Sequence, residues 1–163
     1  MRLRSILHTN RLQPGVFEVI DDGGMVVLSA RCLGHADRAE AATHGNPSDD
    51  PTKSHGDHPI GLYDCTRVVQ NPVPAHSYGD WLIDLNPCGA TDDAARAKAD
   101  GRTGLAIHEG DLNGDGSLRP TYGCLRVDKA TMDFTAPLVR AKLNAGERVF
   151  YACGVEATDV VST

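Results

Sequence analysis

The chain has 163 residues, 40% hydrophobic and 23% charged, the length and balance of one globular domain with its own core. Its 22 acidic against 16 basic residues, net −6, and its aromatic fraction of 5% argue against a sequence-independent nucleic-acid binder, which needs a basic face and stacking rings. No apolar run is long enough for a membrane helix, and Met1-Arg2-Leu3-Arg4-Ser5-Ile6-Leu7-His8 lacks the apolar stretch of a secretory signal, so neither is expected.

Val16-Phe17-Glu18-Val19-Ile20 and Met25-Val26-Val27-Leu28-Ser29 flank Asp21-Asp22-Gly23-Gly24 and predict a β-hairpin. Residues 34–58 are rich in Gly, Asp, His, Asn, Pro and Ser, and predict a long surface loop with one helical turn at 39–42. A strand is predicted over 60–69, a turn over 71–77 and a short strand over 81–85. The alanine-rich segment 92–100 predicts a helix with Thr91 as N-cap. Leu105-Ala106-Ile107-His108 reads as a buried strand. Met132, Leu138, Val139 and Leu143 mark a helix over 128–143, interrupted at Pro137 and ended by Gly146, before a last strand over 148–153. Many strands with one or two helices make a β-rich domain, and no internal repeat or composition shift divides it.

Chemistry concentrates in Ala106-Ile107-His108-Glu109-Gly110 and Thr121-Tyr122-Gly123-Cys124-Leu125-Arg126. A cysteine needs a base and an electropositive setting to be a thiolate near neutral pH, and an imidazole supplies both. Gly123 lets the backbone turn sharply and bring main-chain N–H groups to a reacting carbonyl, the makings of an oxyanion hole. Arg126 can fix the loop or bind a substrate carboxylate.

These residues resemble the L,D-transpeptidase catalytic-domain family, whose signature is His, a gap of about fifteen residues, then Ser/Thr-x-Gly-Cys-apolar-Asn/Arg. Fifteen residues separate His108 from Cys124. The Pro-x-Gly-x-Tyr pattern that opens a strand in that family is matched by Pro59-Ile60-Gly61-Leu62-Tyr63, and the final strand by Gly146-Glu147-Arg148-Val149; the resemblance spans roughly 16–153 of a single domain, 1–163. The chain departs from the family at Tyr122, where a small polar residue is frequent, and at Glu109, where glycine is common.

The resemblance implies a mainly β fold, a β-sandwich or barrel with one or two short helices. It implies a cysteine acyl-transferase or hydrolase, acting on L–D peptide bonds of peptidoglycan stem peptides through a covalent acyl-enzyme, in the periplasm or cell envelope. The absence of a recognisable signal leaves the delivery route open, an injected antibacterial effector being one example. Cys124 is then the nucleophile, His108 the base, and the carbonyl of Glu109 or Gly110 the group that orients the imidazole. The amides of Gly123 and Cys124, with that of Tyr122, hold the oxyanion, and Arg126, Thr121 and Tyr63 bind substrate. No cofactor or metal is implied.

The alternative is a catalytically silent β-domain with a binding or structural role, with a weak calcium loop over 111–117 held by Asp111, Asn113 and Asp115. Asp111-Leu112-Asn113-Gly114-Asp115-Gly116 matches the first half of a calcium loop, but its twelfth position is Tyr122 instead of the closing glutamate, so a tight turn is the better reading. His35, His44, His55 and His58, with Cys65, fit no metal-ligand spacing and read as a polar loop. Cys32, Cys65, Cys88 and Cys153, in or near predicted strands, read as inert thiols, with a disulfide among them left open in an oxidising compartment.

Overall fold

The computed structural model describes residues 1–71 and 75–156, the side chains of Ala75 and His76 excepted. Eight strands close into a barrel: β1 (Arg2–Leu7), β2 (Gly15–Ile20), β3 (Val26–Leu33), β4 (Gly61–Gln70), β5 (Trp81–Pro87), β6 (Ala106–His108), β7 (Leu125–Val127) and β8 (Val149–Val155). Their order around the barrel is β1-β2-β3-β7-β6-β5-β4-β8. The β1–β8 and β6–β7 pairs are parallel and the others antiparallel.

Period-two alternation builds the interior. Leu3, Phe17, Val19, Ile83, Leu85, Ile107, Leu125 and Val149 point inward and are buried. Two tyrosines share this interior, and each finds the partner a buried hydroxyl requires. Tyr151 shares a 2.6 Å hydrogen bond with Ser5, and Tyr63 donates to Pro59 O at 2.6 Å. The β2–β3 hairpin forms where the sequence places it, with Asp21 accepting from the Met25 amide and Gly24 in the left-handed region at φ +86°.

Among the described residues there are four helices, not the one or two short ones expected: α1 (Arg38–Thr43), α2 (Ala75–Tyr78), α3 (Asp93–Ala99) and the 16-residue α4 (Lys129–Asn144). The N-cap of α3 is Asp92 rather than the expected Thr91. Its carboxylate accepts from Ala95 N and also from Leu62 N, so one side chain caps the helix and anchors it to β4. Pro137 does not interrupt α4. It lies on the exposed face of a 16-residue helix whose other face, Met132, Ala136 and Val139, is buried against the barrel, and that packing outweighs the one hydrogen bond proline removes. Two strands, β1 and β7, were not apparent from pattern, and 72–74 of the expected 71–77 turn lie outside the described residues. Among the described residues no helix is long and apolar enough to cross a membrane.

Candidate active site

The site is built where β6 and β7 lie side by side. In this parallel pair Ile107 is opposite Leu125 and His108 opposite Arg126. Alternation sends Ile107 and Leu125 into the core and leaves His108 and Arg126 on the other face. Cys124 stands one residue before β7, two positions from Arg126, and so shares that face. His108, Cys124, Arg126, Thr121, Tyr122 and Tyr78 line a cleft of about 180 Å³, together with Asp37, Ser77, Asp111, Arg119 and Pro120.

His108 is fixed by its own chain. Its Nδ1 donates to the carbonyl of Glu109. A carbonyl only accepts, so Nδ1 carries the proton and Nε2 is left as the basic nitrogen. Tyr78 packs edge-on against the imidazole, ring centroids 5.0 Å apart. The Glu109 carboxylate does not reach the cleft chemistry: it is buried and accepts from the Asp80 amide, which pins the 77–80 strap carrying Tyr78.

The turn before Cys124 is held from three directions. Thr121 Oγ1 accepts from Gly123 N at 3.0 Å and donates to Cys124 O at 2.8 Å. His58, fully buried, donates from Nδ1 to Gly123 O at 3.1 Å. Arg102, also buried, donates to the carbonyls of Pro51, Gly56, Asp57 and Gly123. Gly123 has φ +113°, and a Cβ there would strike the Arg102 guanidinium and come within 2.7 Å of Gly56 O, so only glycine fits.

Three expected roles change. Thr121 has its hydroxyl committed in both directions to the turn, so it shapes the loop and is not a free substrate ligand. The Gly123 amide is likewise engaged, which leaves the amides of Tyr122 and Cys124 for an oxyanion. Tyr63 is not at the site at all: it is fully buried, 5.4 Å from Tyr151 and 5.5 Å from His58 in a stack of rings inside the barrel. Arg126 is buried, donates to Asp111 O at 2.7 Å, and keeps its Nε without a partner. Tyr122 is 63% exposed at the rim.

The electrostatics also differ from the expected thiolate. Burial pushes the Cys124 thiol up to about 11, against the opposing pull of the Ala106 amide, Arg102 and Arg126. Burial lowers His108 to about 4, the Glu109 carbonyl raising it less. The free protein therefore holds a neutral thiol and a neutral imidazole, and Sγ lies 3.5 Å from Gly104 O, to which it donates. All five cysteines are free thiols; Cys32 and Cys65 are buried and raised to about 12, as inert thiols should be.

Asp111–Asp115 is a turn. Asp115 accepts from the amide and hydroxyl of Ser117, and Asn113 donates to Ser117 Oγ. His58, Arg102 and Tyr78 were missed in the sequence. Only His58 carried a signal, its place beside the Pro-x-Gly-x-Tyr pattern. Comparison of the sequence with models of known protein families and with curated proteins finds no match to either.

Proposed function

We propose that the protein is an L,D-transpeptidase-like cysteine acyl-transferase or hydrolase that cleaves L–D peptide bonds of peptidoglycan stem peptides in the periplasm or cell envelope. One observation carries the reading: Cys124, one residue before β7, and a histidine on β6 with its tautomer fixed line the same cleft. The neutral pair starts the reaction. His108 Nε2 takes the Sγ proton as sulfur bonds to the scissile carbonyl carbon, and the oxyanion is met by the Tyr122 and Cys124 amides. The C–N bond breaks, the leaving amine takes the proton from the imidazolium, and a thioester remains on Cys124. An acceptor amine or water, deprotonated by His108, attacks the thioester and releases the thiol. Arg126 and Arg119 supply positive charge at the cleft for a substrate carboxylate.

A silent binding domain is the second reading, favoured by the raised thiol and its bond to Gly104 O. Mass spectrometry of peptidoglycan fragments incubated with the protein separates the two. Loss of D-alanine or new cross-links, absent with Cys124→Ala, supports the enzyme. Unchanged fragments overturn it.

A further inference from the structure

The 34–58 loop holds a second cluster that the catalytic reading does not use. His35, Asp49 and Asp57 are 5%, 4% and 9% exposed, and one ligand atom from each lies within 4.8 Å of the other two. His35 Nδ1 and Asp57 Oδ1 are hydrogen-bonded at 3.1 Å, a separation that two ligands sharing a small divalent cation would also have. Asp57 Oδ1 also accepts from Ala36 N at 2.8 Å, and its Oδ2 lies 3.5 Å from Arg11 Nε. Asp49 Oδ2 meets Arg38 Nε at 2.9 Å, but Asp49 Oδ1 is buried with no partner. A carboxylate oxygen buried without a donor is costly, and a cation is a partner that removes the cost.

We propose that His35, Asp49 and Asp57 bind a divalent transition-metal ion, zinc in first place, that staples the 34–58 loop beneath the Thr121–Cys124 turn. One imidazole and two carboxylates suit zinc and its neighbours better than calcium, which takes oxygen ligands. The position gives the ion a structural task. The His35 carbonyl accepts from Thr121 N, Asp37 N donates to Thr121 O, and Ala36 pairs with Thr121 as a parallel bridge. Asp57 leads directly into His58, which holds Gly123 O. A cation joining His35 to Asp57 thus locks two strands of the loop that grip the cysteine turn. The sequence hid this because the three ligands are separated by irregular spacings of 14 and 8 positions and converge only in the fold.

The test uses the full chain, stripped with EDTA and desalted, then titrated separately with zinc, manganese and calcium chloride. Metal content and thermal unfolding are read with no dependence on turnover. Zinc should bind at one equivalent, and at free metal a hundredfold above Kd the melting temperature should rise by about 5–10 °C. Asp49→Asn, which keeps an oxygen for Arg38, should weaken binding at least tenfold and abolish the rise. His35→Gln should do the same, so the result does not hang on one variant's folding. Absence of stoichiometric binding by the wild type overturns the site. So does binding that survives both variants; its loss in His44→Gln would then place the ion at Glu40, His44 and His55, the other grouping of metal-ligating side chains among the described residues. Peptidoglycan turnover is not part of the readout, so failure here leaves the acyl-transfer reading standing, and the reverse also holds.

Discussion

His58 Nδ1 donates to Gly123 O at 3.1 Å, and through that bond a core histidine, stacked on Tyr63 and tilted against Tyr151, holds the residue that precedes Cys124, the proposed nucleophile. The bond fixes the His58 tautomer and requires a neutral ring, since Nε2 is buried with no partner. Burial accordingly lowers His58 to about 3, as it lowers His108 to about 4. The unfolded histidines titrate near 6.5. Between about pH 6.5 and 4 the unfolded chain binds more protons than the folded one. The histidine contribution is therefore fully present above pH 6.5 and is lost as pH falls toward 4, at up to about 1.4 kcal/mol per pH unit for each ring. Urea unfolding at pH 7, 6 and 5 should show this decline, and His58→Gln should make it shallower. A stability flat over that range, or a slope unchanged by His58→Gln, would contradict the assignment.

Gly123→Ala should be far more damaging than an alanine in a turn normally is. Its φ of +113° is strained for any L side chain, and the methyl would collide with Arg102 and Gly56. We expect roughly 2–4 kcal/mol of lost stability and loss of turnover, because the Thr121 and His58 contacts cannot both survive the displacement. Denaturant midpoints and stem-peptide assays check it. An active, fully stable Gly123→Ala protein would mean the turn is not constrained as described.

Legibility followed the range of the interactions. The β2–β3 hairpin, α3 and the His108–Cys124 segment were readable because each is specified by neighbours in sequence: an Asp/Gly turn, an alanine run, a short motif. Strand β1 was not, although Arg2–Leu7 alternates as a strand should. Its parallel partner β8 lies at the other end of the chain, and no local signal encodes that pairing. Strand β7 has three residues and depends on β3 and β6 for its hydrogen bonds. The buttresses of the site were hidden for the same reason. Arg102 is an arginine after an alanine-rich helix until folding brings four carbonyls to its guanidinium. The motif points Tyr63 toward substrate, but a tyrosine on the inward side of a barrel strand is a core residue, and its hydroxyl is satisfied locally by Pro59 O.

The neutral Cys124–His108 pair makes a prediction opposite to that of a resting ion pair. Alkylation of Cys124 by iodoacetamide in the free protein should be slow at pH 6–7 and climb steeply through the alkaline range, following a thiol raised to about 11. His108→Gln should leave that resting profile nearly unchanged yet abolish turnover, because the base is needed only as the thiol attacks. Cys124→Ala should lower turnover by roughly a thousandfold or more with the fold retained. Alkylation is mapped by peptide mass so that Cys88, the other incompletely buried thiol, serves as the control. An alkylation rate already level below pH 7 would show that the thiolate–imidazolium pair forms before substrate arrives.

Glu109 supports the candidate site through two separate atoms, and substitution can tell them apart. Its carbonyl holds His108 Nδ1 and is present whatever the side chain. Its carboxylate accepts from the Asp80 amide and fills the space beside Gly79, fixing the strap that presents Tyr78 to His108. Burial raises the carboxyl pKa, so a neutral amide of the same shape loses little, and Glu109→Gln should keep kcat/KM within about twofold because Oε1 still accepts from Asp80. Glu109→Ala removes the acceptor and frees the strap. A loosened Tyr78 should reduce kcat/KM by roughly ten- to a hundredfold, and Tyr78→Ala should reproduce the loss without adding to it when the two are combined. If Glu109→Gln fell as far as Glu109→Ala, the carboxylate's charge or proton would be taking part in the chemistry. If neither variant lost activity, the strap would have no hold on the imidazole.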